Sequence, residues 1–225
     1  MARPNYNSER MALQLYYITD RRQFPGDLRE QEQQLLAKIA ECATAGIEYV
    51  QLREKDLEAR ALEELARKAM AVLGRSQTRL LINSKTDVAL ACGGHGVHLP
   101  TNDLAASEVR SIFARAGRSE AVIGVSTHSE AEVASAEAHG ASFAVFGPVF
   151  EKSGSANRAG LEQLRQICHR TESAQPPMPV WALGGITLKN AQQCVAAGAA
   201  GIAAIRLFQE NEVDTTVKKL RALRA

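Results

Sequence analysis

Cysteine is scarce in this chain: only four of its 225 residues are cysteines, and no two of them form a C-x-x-C pair. Disulfide frameworks need a higher density of cysteines, and cysteine metal clusters need closer ligand spacing, so the sequence excludes both kinds of site. Cys42, Cys92 and Cys194 lie in alanine-rich stretches of helical character. This setting predicts buried thiols that pack as small apolar side chains.

The chain also lacks a long apolar run and an excess of one charge. No apolar stretch approaches the roughly 18 to 20 residues that cross a bilayer, and the N-terminus has no signal-peptide pattern. Lys and Arg number 27 against 25 Asp and Glu, which gives a formal net charge of +2. Nucleic-acid-binding domains are usually strongly basic. These absences predict a soluble, cytoplasmic protein that binds neither a membrane nor a nucleic acid.

Eight short runs of β-branched or aromatic residues alternate with stretches of helical period. The runs begin near Leu15, Ile47, Arg79, Gly96, Val122, Phe143, Val180 and Gly201. They are almost continuously apolar, as strands buried on both faces should be, and similar small-residue turns containing glycine precede four of them. Eight strand–helix units predict an α/β fold, a single (β/α)₈ TIM barrel. The alternative is a doubly wound open sheet, which usually has fewer strands and often a G-x-G-x-x-G turn that is absent here. Residues 1–12 are polar and unpatterned and are predicted to form an N-terminal arm, and residues 13–225 the barrel domain.

Polar residues follow most of the predicted strands, and the carboxyl ends of the strands are where a barrel of this kind places its active site. The candidate site residues, in chain order, are Gln51, Arg53, Lys55, Asn83, Ser84, Asp103, Ser126, His128, Lys152, Gly184, Gly185 and Arg206.

The segment QLREK after the second strand predicts an anion site. Gln51, Arg53 and Lys55 alternate, so a period of two points all three side chains to one face of the strand. Two cations aimed into the mouth of a barrel need an anion, which indicates a phosphate or pyrophosphate ligand. The alternative is that Arg53 and Lys55 pair with Glu54, Asp56 or other carboxylates at the rim.

The segment LGGITLKN after the seventh strand predicts a phosphate cradle. Gly184 and Gly185 are followed by Thr187 at a predicted helix start, where backbone N–H groups attract phosphate. The loops after strands seven and eight commonly form such a cradle, and Arg206 could add a bidentate contact. The alternative is a tight turn that needs glycine for its geometry alone.

His128 in VSTHS is a candidate for proton transfer because the pKa of histidine lies near physiological pH. The alternative is a structural role, in which His128 hydrogen-bonds the loop or begins the next helix, since STHSEAE also has the pattern of an N-terminal cap followed by acidic residues. His98 is interpreted as a structural residue or one that supports its neighbours. Asp103 is interpreted as a metal ligand or a helix cap.

Six segments together carry a resemblance to a known family: QLREKDL, LLINS-x₂-DVALA-x₄-GVHL, IGVSTHS-x₂-EV, FAVFGPVF, and the two halves of ALGGITLKNA-x₃-VAAGAAGIA. In this order, from Leu15 to Phe208, they resemble the thiamine phosphate synthase family, including its TenI-type branch. The resemblance implies a (β/α)₈ barrel and one of two reactions. The synthase joins an aminopyrimidine diphosphate to a thiazole phosphate and releases pyrophosphate, with Mg²⁺ on the departing diphosphate. The TenI-type enzyme shifts protons on a thiazole carboxylate phosphate and so aromatises its ring.

Departures from the synthase pattern favour the TenI-type tautomerase. The family's Asn-Asp pair after strand three is Asn83-Ser84 here, which leaves Asp103 as the carboxylate that matches a Mg²⁺ ligand. The phosphate-gripping loop is replaced by EKSGSANRAG, with Lys152 as a stand-in, and Arg206 stands where the family has a serine. Ser126 and His128 serve either branch as the catalytic pair. A true synthase, using aminopyrimidine diphosphate and Mg²⁺, is the alternative.

A third hypothesis is a regulator that binds a phosphorylated ligand without catalysis. A phosphorylated thiazole is the expected partner in each case, and no cofactor is required unless the protein acts as the synthase. A homodimer is left open.

Overall fold

The computed structural model describes residues 12–151, 158–172 and 177–223. Eight parallel strands close into a barrel in chain order, and the last strand pairs with the first. This confirms the predicted (β/α)₈ fold. The strands are β1 (Gln14–Ile18), β2 (Tyr49–Leu52), β3 (Arg79–Asn83), β4 (Gly96–Leu99), β5 (Val122–Thr127), β6 (Phe143–Phe146), β7 (Val180–Leu183) and β8 (Gly201–Ala204). The predicted arm lies almost wholly outside the described residues and stays a prediction.

Helices follow every strand and cover the outside of the barrel. They are α1 (Leu28–Thr44), α2 (Ala59–Leu73), α3 (Thr86–Ala91), α4 (Ala106–Arg115), α5 (Glu130–Ala138), α6 (Arg158–Glu172), α7 (Ala191–Ala196), α8 (Arg206–Gln209) and α9 (Val213–Arg221). The final helix begins at Val213. The Glu212 side chain accepts hydrogen bonds from the backbone N–H groups of Asp214 and Thr215 and so fixes the start of the helix. None of the helices in the described ranges is both long and apolar enough to cross a membrane.

The four glycine turns predicted to end helices before strands are present. Gly46, Gly93, Gly140 and Gly198 have φ angles of +78°, +72°, +72° and +95°. A residue in this left-handed conformation ends a helix and turns the chain back toward the sheet, and glycine adopts it without strain. The similar small-residue turns of the sequence are therefore helix-to-strand turns.

Two apolar layers fill the molecule. The larger lies between the strands and the surrounding helices, and it includes the predicted buried thiols of Cys42, Cys92 and Cys194. The smaller fills the inside of the barrel with aromatic rings, of which Phe143 and Trp181 stack with centroids 3.6 Å apart. Because rings close the barrel interior, a ligand can only bind above them, at the carboxyl ends of the strands.

Candidate active site at the carboxyl end of the barrel

Gln51 and Asn83 meet at the ends of β2 and β3. The Gln51 Nε2 donates a hydrogen bond of 2.8 Å to the Asn83 Oδ1, and Gln51 is buried. Parallel pairing of the two strands sets this contact, because it puts Gln51 level with Leu81 and Asn83 two residues further toward the rim. The pair leaves the amide N–H groups of Asn83 for a ligand.

Arg53 and Lys55 lie beyond the strand and not on it. β2 ends at Leu52, so the alternation expected from the sequence does not extend to Lys55, which is exposed in a turn while Glu54 is buried. The Arg53 backbone N–H donates to the Thr19 Oγ1 at 2.9 Å, which ties this loop to the end of β1. Arg53 is therefore fixed at the rim by its backbone, whereas Lys55 projects from a surface turn.

Arg21 forms ion pairs with the two carboxylates beside these cations. Its guanidinium contacts the Glu54 Oε2 at 3.0 Å and both oxygens of Asp56 at 2.8 and 2.7 Å. The bidentate contact with Arg21 lowers the pKa of Asp56. The interpretation in which Arg53 and Lys55 pair with Glu54 and Asp56 is therefore wrong, and neither cation forms an ion pair within the described residues. Sequence reasoning missed Arg21; the charged run TDRRQF directly after β1 was the available signal.

Ser84 and Asp103 join the loops after β3 and β4. Ser84 has a φ of +65°, and its hydroxyl donates a short hydrogen bond to the Asp103 Oδ2. The Ser84 N–H donates to the His98 carbonyl at 2.9 Å and holds the turn against β4. Asp103 is therefore a half-buried carboxylate at the rim, and its Oδ1 also accepts from the Leu104 N–H at 2.8 Å.

A metal site built from protein groups alone is absent from the described ranges, where no three His, Cys, Asp or Glu side chains converge. Mg²⁺ differs from zinc because it is often held by one or two carboxylates and completed by waters and the phosphates of a substrate. Asp103 with the neighbouring Ser84 hydroxyl fits this second kind of site. A Mg²⁺ ion would bind here together with a diphosphate and not before it.

His98 and Ser126 connect β4 with β5. The His98 Nε2 lies 2.8 Å from the Ser126 Oγ, and its Nδ1 lies 3.2 Å from the hydroxyl of Tyr16. Burial, with a smaller contribution from the positive charge of Arg53, lowers the pKa of His98 to about 3. His98 is therefore neutral at physiological pH. Thr101 donates to the Ser126 carbonyl at 3.0 Å and fixes its backbone as well.

His128 lies exposed just past the end of β5. Its Nδ1 is 2.5 Å from the carbonyl oxygen of Gly147, and a carbonyl can only accept, so Nδ1 carries the proton. The Nε2 has no hydrogen-bond partner among the described residues. The helix cap in this segment is Ser129, whose Oγ accepts from the Glu132 N–H at 3.2 Å, so capping does not occupy the His128 ring.

The glycine pair after β7 packs against the loop after β6. Gly184 and Gly185 have φ angles of +99° and +61°, and a Cβ on Gly185 would lie 2.0 Å from the Glu151 carbonyl oxygen. Glycine is therefore required by the geometry of this turn, and the phosphate cradle expected here stays a prediction. The regular helix α7 begins at Ala191, and a hydrogen-bonded turn precedes it from Thr187: the Asn190 Oδ1 accepts from the Thr187 N–H at 2.7 Å, and the Thr187 carbonyl accepts from the Ala191 N–H at 3.0 Å.

Two candidate residues remain, Arg206 and Lys152. Arg206 is the first residue of α8, directly after the loop of β8, and its side chain is exposed. Lys152 lies outside the described residues, so its expected role stays a prediction. Side-chain contacts thus connect the ends of β2 with β3 and of β4 with β5, and place Asp103, Ser126 and His128 along one arc of the rim.

Comparisons with known proteins identify the family of this chain. A family model described as thiamine monophosphate synthase matches residues 15–208. A putative thiamine-phosphate synthase of Geobacter sulfurreducens is 42% identical over 194 residues, 85% of this chain and 84% of that protein. A thiamine-phosphate synthase of Halalkalibacterium halodurans is 34% identical over 194 residues, 85% of each chain. The structure of a thiamine phosphate pyrophosphorylase from Pyrococcus furiosus has a TM-score of 0.75 at 29% identity, covering 94% of this chain and 95% of the other.

Proposed function

The chain belongs to the thiamine monophosphate synthase family, and we propose that it is a thiamine-phosphate synthase. The reaction would couple an aminopyrimidine diphosphate to a thiazole phosphate and release pyrophosphate. The sequence departures favoured a tautomerase, with the synthase as the alternative. The names of the relatives support the synthase better, and this proposal follows them.

The observation that carries the proposal is the set of charges at the end of β2. Arg21 takes both neighbouring carboxylates, so the charge of Arg53 is not cancelled by an ion pair within the described residues. Arg53 stands beside the paired amides of Gln51 and Asn83, which supply further hydrogen-bond donors. A guanidinium without an ion-pair partner, together with amide N–H groups, can stabilise a diphosphate whose negative charge increases as it leaves.

The chain's own groups would divide the work between the two sides of the rim. In the reaction the bond to the departing diphosphate breaks as the bond to the thiazole forms, and the diphosphate leaves with the bonding electrons. Arg53 would stabilise that negative charge. The backbone N–H groups of Gly185 and Ile186 donate to no described residue, and they would hold the phosphate of the thiazole with help from Arg206.

Mg²⁺ is part of the proposal through Asp103. The carboxylate of Asp103 would hold the ion, and Ser84 would keep that carboxylate in place through their hydrogen bond. When bound, the ion would supply positive charge to the departing diphosphate. Because the protein offers a single carboxylate, we expect Mg²⁺ to bind tightly only when the diphosphate substrate is also bound.

A thiazole tautomerase is the second candidate, and His128 favours it. The Gly147 carbonyl fixes the proton on Nδ1 and leaves the exposed Nε2 as a base at the rim. Proton transfer on a phosphorylated thiazole needs a phosphate cradle and such a group, but neither a diphosphate nor a metal. For either enzyme the cytoplasm is the expected location, and a phosphorylated thiazole the expected ligand.

The test is a parallel assay of both reactions on one preparation. We expect thiamine phosphate and pyrophosphate to form in the presence of Mg²⁺. Arg53→Ala should lower kcat/KM for coupling about thirtyfold, because a charge-assisted contact of about 2 kcal/mol is lost. Arg60→Ala is the matched control, since Arg60 is exposed on α2 and its one ion pair lies on the surface.

Two results would overturn the synthase assignment. Ring aromatisation without coupling, lost in His128→Ala, would identify the tautomerase. Binding of the thiazole phosphate without either product, unchanged in His128→Ala, would identify a non-catalytic regulator.

A further inference from the structure

Three polar side chains form a line from the inside of the barrel to its rim. Tyr16 on β1 is fully buried among the aromatic rings, His98 on β4 is 2% exposed, and Ser126 on β5 is half-buried. The Tyr16 hydroxyl lies 3.2 Å from the His98 Nδ1, and the His98 Nε2 lies 2.8 Å from the Ser126 Oγ. A single imidazole therefore links the interior to a serine that faces the site.

The direction of these hydrogen bonds follows from the phenol. Burial raises the pKa of Tyr16, so its O–H keeps its proton. Within the described residues its hydroxyl has one hydrogen-bond partner, the His98 Nδ1. A buried O–H without an acceptor costs about 1–3 kcal/mol. Tyr16 therefore donates, and the Nδ1 of His98 accepts.

The tautomer of His98 then determines the direction of its hydrogen bond with Ser126. Because His98 is neutral, only one of its ring nitrogens carries a proton, and with Nδ1 accepting that nitrogen is Nε2. Nε2–H then donates to the Ser126 Oγ. The serine oxygen accepts from within the protein, so its own hydrogen is left for a different acceptor. Within the described part of the chain the Ser126 hydroxyl has no hydrogen-bond partner except His98.

We propose that His98 is a positioning residue, oriented by Tyr16, which makes the Ser126 hydroxyl a hydrogen-bond donor toward an acceptor oxygen or nitrogen of the bound substrate. The identity of that substrate rests on the proposed function, whereas the proton arrangement does not. Ser126 is the group that touches the ligand, and His98 acts through it. The hydroxyl then stabilises an acceptor without serving as a base.

The fold keeps room for this arrangement. Gly124 lies level with His98 on the neighbouring strand, and a Cβ there would lie 2.9 Å from the His98 Nδ1 and 2.5 Å from the Phe143 ring. Thr101 holds the Ser126 backbone from the other side. A side chain at position 124 would displace the His98 ring, so glycine there keeps the ring within hydrogen-bond reach of Ser126.

The direct test is the tautomer of His98, measured by NMR on ligand-free protein labelled with ¹⁵N-histidine. The His98 signal is assigned by its loss in His98→Gln. We expect the Nε2–H tautomer in the unmodified protein. Tyr16→Phe, which removes only the hydroxyl, should turn it into a mixture of both tautomers because nothing then selects one. An Nδ1–H tautomer in the unmodified protein would overturn the proposal.

The kinetic test uses a matched pair of amides at position 98. Gln places an amide N–H close to where Nε2 lies, whereas Asn places it close to Nδ1. We expect His98→Asn to lower kcat/KM about tenfold, the loss of one hydrogen bond, and His98→Gln to retain most of it. Equal losses in two variants that both unfold cooperatively, as judged by circular dichroism, would contradict the positioning role.

A double-mutant cycle tests the line as a unit. Tyr16→Phe should lower kcat/KM severalfold in the unmodified protein and have no effect in a Ser126→Ala background, because the serine carries the whole consequence. Equal effects in both backgrounds would mean that Tyr16 acts through packing alone. If the unmodified protein shows no coupling, the proposed function fails while the NMR result still decides the tautomer. If coupling occurs and His98 has the other tautomer, only this inference fails.

Discussion

At the ends of β2 to β5 the rim is held by hydrogen bonds between side chains, whereas at the ends of β6 and β7 backbone packs directly on backbone. On the first side, Gln51 joins Asn83 and His98 joins Ser126. On the second side the Val149 N–H donates to the Leu183 carbonyl at 2.8 Å. We call the first the polar side, defined by the ends of β2 to β5, and the second the glycine side, defined by Gly147, Gly184 and Gly185.

The difference shows which side can change its chemistry. Replacing one side chain on the polar side removes a hydrogen bond of about 1 kcal/mol and leaves the backbone in place. On the glycine side any added carbon meets backbone, since a Cβ on Gly147 would lie 2.3 Å from the Leu183 carbonyl oxygen. The polar side can thus carry Ser84 in place of the family's aspartate at a small cost in stability. The glycine side cannot accept a side chain without moving its backbone.

The largest effect is expected from Arg21→Met, which breaks the support beneath the polar side. Arg21 and Glu54 are almost completely buried, and removing one partner leaves a buried charge without compensation. We expect the free energy of unfolding to fall by about 4 kcal/mol. Urea denaturation at neutral pH measures it.

The matched control for Arg21 is Arg60→Met. Arg60 also contacts a glutamate, but both side chains are exposed, and such surface pairs contribute little to stability. A loss in Arg21→Met as small as in this control would show that the rim does not depend on the buried ion pair.

Arg21 also marks a limit of sequence reasoning. The eight strands and the polar residues at their ends could be predicted, because both leave a local pattern. The pairing of Arg21 with Glu54 joins residues 33 positions apart, and it depends on how the loops after β1 and β2 lie beside each other. As long as the contact of Arg21 with Glu54 is unknown, Arg53 and Lys55 are equally good candidates to pair with Glu54 and Asp56. The contact between Tyr16 and His98, 82 positions apart, was hidden for the same reason.

A smaller but still large effect is expected on the glycine side from Gly185→Ala. Its φ is +61°, and the new Cβ would meet the Glu151 carbonyl oxygen at 2.0 Å, so strain and overlap add. We expect a loss of about 3 kcal/mol. Gly140→Ala is the control, because its φ is +72° but nothing lies within 4 Å of the added carbon. It should lose about 1 kcal/mol, for strain alone.

Equal losses in the two alanine variants would mean that the loops of β6 and β7 separate easily, and the glycine side would then be no more rigid than the polar side. The sequence indicated a turn or a phosphate cradle here but could not choose between them. In the structure Thr187 begins a hydrogen-bonded turn that the Asn190 side chain closes before α7 begins at Ala191, and an asparagine at that position has no distinctive sequence pattern.

A pH dependence that originates at the floor of the polar side spreads its effect over several pH units. The pKa of His98 is about 3 in the folded protein against an ordinary value of 6.5, because burial and the charge of Arg53 both oppose protonation. Below about pH 6.5 the unfolded chain therefore binds a proton that the folded protein does not, and stability falls with pH by up to ~1.4 kcal/mol per unit until the folded pKa is reached. His98→Gln has no such group, so the difference in unfolding free energy between it and the unmodified protein should shrink or reverse between about pH 7 and pH 4. Carboxylates contribute to both proteins and cancel in this difference. Parallel stability curves would mean that His98 is protonated as readily in the fold as outside it, and a protonated His98 would leave Tyr16 without an acceptor.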